Sequence, residues 1–344
     1  MAGEFTLLDH AKMFGDDGKL LQVVEVLSKS DPIIADAITI ESNSDNGHTY
    51  AVQTGLPEVT WRRAYQGVQP SKATQKVVHE TYGRASTLSL VDVAIAEKGG
   101  KVNVVRAAEA KRHLEAMSQE IAKKMIYGSN ADDEKSFIGF AERYNSKDAP
   151  SARNIINHGG TGDHLSSIYL IGWANNKIFT FYPKGSKAGI INYDFSKNGP
   201  IDIVDASGKT YPGYKEQFEC LTGMAVADWR FGARVCNIDT TDLGTKAKCA
   251  ALYESFIKAL NSIQNLNGIK LVAYASRNVK FALRNGFVAA NGAGALMSAP
   301  IVYQNGEITS SGSRGYSAND LVIDGVHVKI EDAISETETA VSFS

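Results

Sequence analysis

Residues 54–72 read TGLPEVTWRRAYQGVQPSK, and residues 103–127 read NVVRAAEAKRHLEAMSQEIAKKMIY. The first stretch mixes large apolar side chains with charges and has no core-like period. β-prone residues flank it on both sides, which predicts a long polar hairpin from Gly47 to Gly83. Prolines at 57 and 70 argue against a central strand pair, because proline cannot donate to a ladder. The chain's own body cannot easily cover such a hairpin, so we expect it to lie on a neighbouring molecule.

Residues 103–127 predict one long amphipathic helix. Apolar residues recur every three or four positions along one stripe, namely Ala107, Ala110, Leu114, Met117, Ile121 and Met125. Asn103 is suited to cap the start of the helix, and Gly128 to end it in a left-handed turn. At 1.5 Å per residue the helix is about 37 Å long. We expect a rigid strut whose stripe lies in the core, so that aspartate at Leu114 and Ile121 abolishes folding.

The residues before the hairpin predict short elements that cannot fold alone. Leu20, Val23, Val24 and Leu27 share one helical face. Ser30-Asp31 offers an N-cap before Pro32 at the first helical position, which predicts a second short helix. Alternation over residues 37–41 predicts a strand. This segment must therefore pack on the body or on a neighbouring subunit.

From about residue 163 the pattern becomes mixed α/β. Residues 167–173 and 178–182 predict a hairpin around Asn175-Asn176. Residues 246–263 predict a helix. A strand over 269–274 precedes a helix that starts after Ser276 and ends at Gly286. The Asp324-Gly325 dipeptide between apolar runs predicts a further hairpin with a type I′ turn.

Composition excludes several classes of protein. The chain has 344 residues, a hydrophobic fraction of 43%, a formal net charge of −2 and an isoelectric point near 6.4. A dedicated nucleic-acid binder would carry a basic excess. No apolar run approaches the ~20 residues that span a bilayer, and no signal peptide is apparent. The cysteines Cys220, Cys236 and Cys249 form no C-x-x-C motif, so we expect reduced thiols in a cytoplasm.

The sequence lacks the familiar catalytic constellations. His158-Gly-Gly-Thr-Gly162 resembles an oxyanion loop, but no G-x-S-x-G nucleophile elbow accompanies it. Gly208-Lys-Thr210 resembles the end of a phosphate-binding loop, but Ile203 occupies the position of its first glycine. No histidine pair has metal-ligand spacing with a third ligand nearby. We therefore expect no catalytic residue, no metal and no cofactor.

Segments along the whole chain resemble the major capsid proteins of tailed bacteriophages with the Hong Kong 97-like fold, most closely those of short-tailed phages. The order and spacing of these segments carry the resemblance, and no one of them is decisive. They are residues 7–12, 17–27, 54–63, 67–72, 103–127, 141–145 (AERYN), 182–189 (YPKGSKAG), 228–231 (DWRF), 273–278 (AYASRN) and 325–328 (GVHV).

The resemblance implies an α+β fold with four parts. These are an N-terminal arm at residues 1–42, an extended loop at 43–82, a peripheral domain at 83–150 plus 310–344, and an axial domain at 151–309. The spine helix of the peripheral domain would be residues 103–127. The arm and the loop would supply the contacts between subunits, through Leu20, Val24, Leu27, Trp61, Arg62, Arg63, Tyr65 and Lys72.

The resemblance also implies a structural function. Subunits would form hexamers and pentamers that close into an icosahedral shell around double-stranded DNA, contacted non-specifically. A scaffolding protein, a portal protein and possibly a decoration protein would be partners, with assembly in the bacterial cytoplasm and no membrane involved. Some members of this fold crosslink through a loop lysine, but Lys72 carries no signature of that reaction and is expected to be solvated or salt-bridged.

Two alternatives remain open at this point. An encapsulin-like nanocompartment shell protein shares the fold and would enclose cargo protein instead of DNA. A mixed α/β enzyme would need a catalytic constellation that the sequence does not display.

Overall fold

The computed structural model describes residues 31–343, apart from residues 99–100, 131–134, 206, 265–267, 292–302, 305–306 and 309–320. The helices are α1 (Pro32–Asp36), α2 (Val93–Ala96), α3 (Val102–Tyr127), α4 (Phe140–Arg143), α5 (Lys246–Ser262) and α6 (Arg277–Asn291). Short 3₁₀ helices lie at Pro150–Asn154, Trp229–Phe231 and Thr240–Asp242.

The strands alternate with these helices along the chain. They are β1 (Thr39–Glu41), β2 (His48–Gly55), β3 (Thr74–Glu80), β4 (Gly83–Asp92), β5 (Ile155–Asn157), β6 (Leu165–Trp173), β7 (Ile178–Tyr182), β8 (Ile190–Asp194), β9 (Ile201–Val204), β10 (Thr210–Val226), β11 (Gly232–Asp239), β12 (Lys270–Ala275), β13 (Tyr303–Gln304), β14 (Glu307–Ile308), β15 (Leu321–Ile323) and β16 (Val326–Ile330).

One large mixed sheet organises the body, with the path β15-β16-β12-β6-β7-β10-β4. Strand β10 is its longest member. Residues 213–222 of β10 pair with β4, and its last four residues pair with β7. On the side away from β4, β10 pairs with β8 and β9. Strand β10 therefore joins two halves of the sheet, one around β4 and one around β6.

The half around β6 is buried on both faces. Tyr169 and Ile171 pack in a core with the long helix α3, whereas Ile168 and Leu170 pack in a second core with α5 and α6. Alternation of side chains along a strand sends successive residues to opposite faces. Every residue of β6 is consequently buried, which explains its continuous apolar run.

The long helix α3 lies across the half of the sheet around β4. Near its start, Arg106 forms ion pairs with Asp194 of β8 (2.8 Å) and with Glu216 of β10. Two turns further along, just before the middle of the helix, His113 stacks on Phe218, with ring centroids 6.1 Å apart, and its Nδ1 lies 2.7 Å from Thr87 Oγ1. Polar and aromatic side chains thus fix this part of α3, and the helix needs little apolar surface there.

The apolar stripe predicted for α3 is core only in its C-terminal half. Met117, Ile121 and Met125 are buried, but Ala107 is exposed and Leu114 is 37% exposed. The prediction that Leu114 lies in the core was wrong. The reason is that the helix crosses from the sheet half around β4 to the main core, so its inward-facing side changes along its length.

Both predicted caps of α3 were wrong in mechanism. The helix starts at Val102, so Asn103 is already inside it, and no side chain caps the start. Gly128 ends the helix with φ −56° and ψ 133°, which is not left-handed. Its glycine is needed for space, since a Cβ atom there would lie 2.2 Å from the Phe137 carbonyl oxygen.

Three other sequence expectations were corrected. Strands β6 and β7 were expected to form a hairpin. They pair only at Trp173 and Ile178, because β7 pairs instead with β10 and β1. Helix α6 continues past Gly286, where a Cβ atom would lie 2.0 Å from the Cys249 carbonyl oxygen of α5. Pro32 does open α1, but the Asp31 side chain does not cap it.

Other expectations were confirmed. The Asp324-Gly325 turn has positive φ at both residues and joins β15 to β16. Residues 246–262 form α5, and Ser276 Oγ accepts from Val279 N at the start of α6. The cysteines Cys220, Cys236 and Cys249 are buried free thiols, and burial raises the pKa of Cys220 to about 11.

Sheet membership does not follow the four ranges expected for the domains. Strands β8 and β9 lie within residues 151–309, yet they join β10 in the half of the sheet around β4. Strand β16 lies within residues 310–344, yet it pairs in parallel with β12. The chain therefore crosses between the two halves several times, and the division into peripheral and axial domains stays a prediction.

The C-terminal segment is tied to the core by polar contacts. Arg234 Nη2 donates to Glu338 Oε2 at 2.8 Å, and both side chains are 5% exposed. Tyr169 donates its hydroxyl to the same carboxylate, and Asn237 exchanges two hydrogen bonds with the backbone of Val341. None of the helices in the described part of the chain is long and apolar enough to cross a bilayer.

Candidate intersubunit surface

Strands β2 and β3 form a two-stranded antiparallel ribbon that belongs to no other sheet among the described residues. The connecting residues 56–73 are all exposed. Within the predicted extended loop, residues 43–82, the ribbon and its connection span residues 48–80, and we call residues 56–73 the tip. The hairpin that the sequence predicts is therefore confirmed, together with its position outside the body.

The tip carries large apolar side chains that are exposed to solvent. They are Leu56, Val59, Trp61, Tyr65 and Val68, and Trp61 is 96% exposed. Monomeric proteins rarely expose apolar groups in such a cluster unless the cluster binds a partner. Tryptophan and tyrosine are also the residue types most enriched in the energetically dominant part of interfaces.

A local turn shapes the tip. Gln66 N donates to the Arg63 carbonyl oxygen at 3.2 Å, and Arg63 N donates to Gln66 Oε1 at the same distance. Arg62 Nη1 donates to the Gln66 carbonyl oxygen. Tyr65 has φ +67°, an unusual conformation for a bulky residue. These contacts lie within the tip and close the turn that contains Tyr65.

The structure brings together five of the eight residues predicted as contacts. Trp61, Arg62, Arg63, Tyr65 and Lys72 lie in the tip and are exposed. Lys72 forms no ion pair with the described residues. The other three, Leu20, Val24 and Leu27, lie outside the described residues.

A buried ion pair anchors the base of the extended loop. Arg143 of α4 donates from Nη1 and Nη2 to the two oxygens of Glu80, each at 2.7 Å. The same guanidinium donates to the Met224 carbonyl oxygen of β10, and Tyr50 donates its hydroxyl to Glu80 at 2.8 Å. Burial and the adjacent Glu80 carboxylate raise the pKa of Tyr50. This bidentate geometry is the strongest form of carboxylate–arginine contact.

The start of the extended loop is closely packed. A Cβ atom at Gly47, which has φ +151°, would lie 2.1 Å from the Glu80 carbonyl oxygen, so only glycine fits. His48 meets Phe179 edge-on, with centroids 5.2 Å apart. Burial lowers the pKa of His48, so its ring is neutral at neutral pH. A rigid base therefore carries the exposed tip.

Sequence reasoning missed this anchor. In the sequence, Glu80 follows His79 in a dipeptide that lacks the second histidine of a metal-binding motif, because position 83 is Gly, and Arg143 appears only within the AERYN segment. The two residues are 63 positions apart. Strand β3 runs back antiparallel to β2, and its last residue, Glu80, thereby lies next to Arg143 of α4. The one available signal in the sequence was that Glu80, a charged residue, lies at the end of a β-prone run close to Gly83.

A second exposed surface lies on the body, on the face of the β4 sheet half opposite α3. The pairing register places Leu88 of β4 level with Gln217 of β10 and Tyr193 of β8. Leu88 and Tyr193 are exposed, as is the nearby Phe195. This sheet face therefore also presents apolar groups to solvent.

The possible catalytic motifs have structural explanations. Asp205 Oδ1 accepts hydrogen bonds from the backbone N–H groups of Ser207 and Lys209, next to Gly208. His158 Nδ1 lies 3.1 Å from Ser255 Oγ, but that hydroxyl donates to the Ala251 carbonyl oxygen. In the described ranges, no group of three histidine, cysteine, aspartate or glutamate residues could hold a metal ion.

A protein-family model matches the chain along almost its whole length. The family model described as "Major capsid protein GP7" matches residues 15–342. None of the curated proteins compared with the chain is significantly similar in sequence.

Solved structures are similar as well. A structure of bacteriophage Epsilon15 is 27% identical, covers 99% of both chains and has a TM-score of 0.72. The capsid of bacteriophage JBD30 is 10% identical over 76% of this chain and 84% of that chain, with a TM-score of 0.45. An encapsulin from Synechococcus elongatus PCC 7942 is 8% identical over 64% and 91%, with a TM-score of 0.44. The last two values are too low to support an argument.

Proposed function

The chain belongs to the major capsid protein GP7 family, and from that premise we propose that its extended loop is a principal contact through which copies assemble. The protein is a structural component of a bacteriophage capsid and forms an oligomeric shell. The Hong Kong 97-like fold expected from the resemblance is confirmed. The hexamers, pentamers and icosahedral closure remain part of the proposal.

The observation that carries the proposal is the exposed tip on a rigid base. Five large apolar residues of the tip are in solvent in the single chain. At about 25 cal/mol per Å² of apolar surface removed from water, covering even two aromatic side chains is worth several kcal/mol. The ion pair between Arg143 and Glu80 fixes the direction of the loop before assembly, which lowers the entropy lost on binding.

The surface that the tip would meet is on another copy of the chain. The sheet face with Leu88, Tyr193 and Phe195 offers apolar groups of matching type. A contact between two different surfaces of identical subunits is heterologous, and such contacts close into rings when the rotation allows. Rings of five and six copies are the closed forms we propose.

The remaining partners follow from the family and are also proposals. Double-stranded DNA inside the shell, a scaffolding protein, a portal protein and possibly a decoration protein would complete the particle. Assembly would take place in the cytoplasm of a bacterial host. The proposal assigns no catalytic residue to the chain. It does not retain the nanocompartment alternative, because the chain belongs to a phage capsid family.

The double substitution Trp61→Ala and Tyr65→Ala tests the role of the tip. We expect the variant subunit to fold normally, since both side chains contact solvent, but to form no stable shells. Negative-stain electron microscopy of the chain, produced together with the products of neighbouring genes, measures this. Phe281→Ala is the matched control, because Phe281 is also an exposed aromatic residue but lies on α6. Normal shells from the double variant would contradict the proposal.

A further inference from the structure

Helix α1 is held against the body at both of its ends. At its C-terminal end, Lys329 Nζ lies 2.7 Å from both oxygens of Asp36, and Tyr274 donates its hydroxyl to Asp36 at 3.0 Å. At its N-terminal end, the backbone N–H of Ile33 donates to Glu331 Oε2 at 3.0 Å. Between these contacts, Ile33 packs in the core that contains the C-terminal half of α3.

The N-terminal contact contains two carboxyl groups. Glu331 is fully buried, and its carboxyl group lies within reach of a hydrogen bond with that of Asp31. Two carboxylates have no proton to share, so one member of the pair must be protonated for this bond to exist. In addition, Glu331 Oε1 accepts no N–H or O–H from the described residues. One proton on the pair supplies the donor that a hydrogen bond between the two carboxyl groups needs. It also accounts for the absence of another donor to Glu331 Oε1 in the described part of the chain.

The neighbouring cations do not neutralise Glu331. Lys329 and Lys270 both pair with Asp36, and they lower its pKa although burial alone would raise it. From α6, Arg277 pairs with Asp332 at 2.6 Å. Among the described residues Glu331 forms no ion pair.

The elements around this contact also carry Lys280 on α6, which is 5% exposed, and His327 on β16. On β12, Tyr274 directs its hydroxyl toward Asp36, and on the side of α3 the contact with α1 is the apolar core around Ile33.

We propose that the carboxyl pair of Asp31 and Glu331 is a proton-dependent clamp. While it shares a proton it fixes the N-terminal end of α1. When the pair loses that proton, the N-terminal end of α1 is released, while Asp36 still holds the C-terminal end. The clamp is a property of the single subunit and does not rest on the proposed function.

The direction of the pH response follows from the burial of Glu331. Burial, together with the neighbouring Asp31, raises the pKa of Glu331 to about 8, against the opposing effect of the Ile33 N–H. An ordinary glutamate has a pKa of about 4.3. A group with a raised pKa in the closed state stabilises that state fully below about pH 4.3, and its contribution is lost as pH rises to about 8. Over this window the equilibrium constant for opening should increase about tenfold per pH unit.

Hydrogen exchange of the full-length, unassembled subunit tests the clamp. Mass spectrometry of peptides covering residues 31–37 at pH 5.5, 6.5 and 7.5 gives the opening constant after correction for intrinsic exchange. In the wild type we expect it to rise about tenfold per pH unit. In Glu331→Gln we expect no dependence on pH, because the amide donates permanently to Asp31 while its oxygen still accepts from Ile33.

Two further variants complete the experiment. Asp31→Asn should weaken the pH dependence without abolishing it, since the amide is a permanent donor to Glu331 and removes the neighbouring carboxylate, while the burial of Glu331 remains. Glu336→Gln makes the same chemical change in the same segment, at a residue that accepts from Asn278, and should keep the wild-type slope. An opening constant independent of pH in the wild type, or an unchanged slope in both pair variants, would overturn the proposal. Since the measurement uses unassembled subunits, failure to form shells cannot produce either result.

Discussion

Arg143 illustrates how a single buried charge can position a whole surface. Its guanidinium spans Glu80 at the base of the extended loop and the backbone of β10. Taking both charges out of water is costly, and the bidentate geometry with additional hydrogen bonds offsets that cost. The pair therefore contributes less to stability than to fixing where the loop leaves the body.

Removal of one partner should have a large effect, because the other charge stays buried. We expect Arg143→Met to lower the free energy of unfolding of the subunit by about 3–5 kcal/mol, measured by urea denaturation. Lys248→Met is the control, because Lys248 and Asp242 form an ion pair in which both side chains are about half exposed. Such a pair is worth at most about 1 kcal/mol. Equal effects in the two variants would mean that the pair at the loop base is effectively solvated.

At the scale of the element, the long helix α3 has two different environments. Its N-terminal half is fixed by Arg106 and His113 over the sheet around β4, and its C-terminal half is buried in the main core through Met117, Ile121 and Met125. A periodic stripe shows which residues share one face of the helix. It does not show how far along the helix that face is covered.

Two aspartate substitutions on the same stripe separate these environments. Ile121 is 8% exposed, so Ile121→Asp buries a charge and should destabilise the subunit by at least about 4 kcal/mol. Leu114 is 37% exposed, so Leu114→Asp should cost about 1 kcal/mol or less, mostly through helix propensity. Circular dichroism during urea denaturation measures both. A similar loss in the two variants would place Leu114 in the core after all.

At the scale of the whole molecule, β10 makes the two halves of the sheet interdependent. It pairs with β4 along most of its length and with β7 at its end. The core that contains the C-terminal half of α3 also includes residues of β6, β10, β11 and β12. Neither half can lose its structure without removing pairing partners from the other.

We therefore expect the body to unfold cooperatively. Native-state hydrogen exchange should give the amides of β4 and of β12 the same free energy of opening, equal to that of global unfolding. The tip at residues 56–73 is the internal comparison, because its exposed backbone should exchange with little protection. If β4 opened at a clearly lower free energy than β12, the peripheral and axial parts would be independent units, as the predicted domain ranges suggest.

Much of the local structure could be predicted from the sequence. The exposed hairpin, the long helix, helix α5 and the Asp324-Gly325 turn follow from periodicity, proline positions and turn chemistry, which depend on residues close in the chain. The five tip residues among the predicted contacts could also be found this way. Their mixed apolar and charged composition has no period that a core could use.

Only the tertiary structure decided which surfaces are covered and which charges meet. Glu80 and Arg143, Asp36 and Lys329, and Asp31 and Glu331 are far apart in sequence, and no local pattern favours one pairing over another. The environment of Leu114 likewise depends on where α3 crosses the sheet. Burial and ion pairing result from long-range packing, whereas helices, turns and an exposed loop arise from interactions between neighbours in the chain.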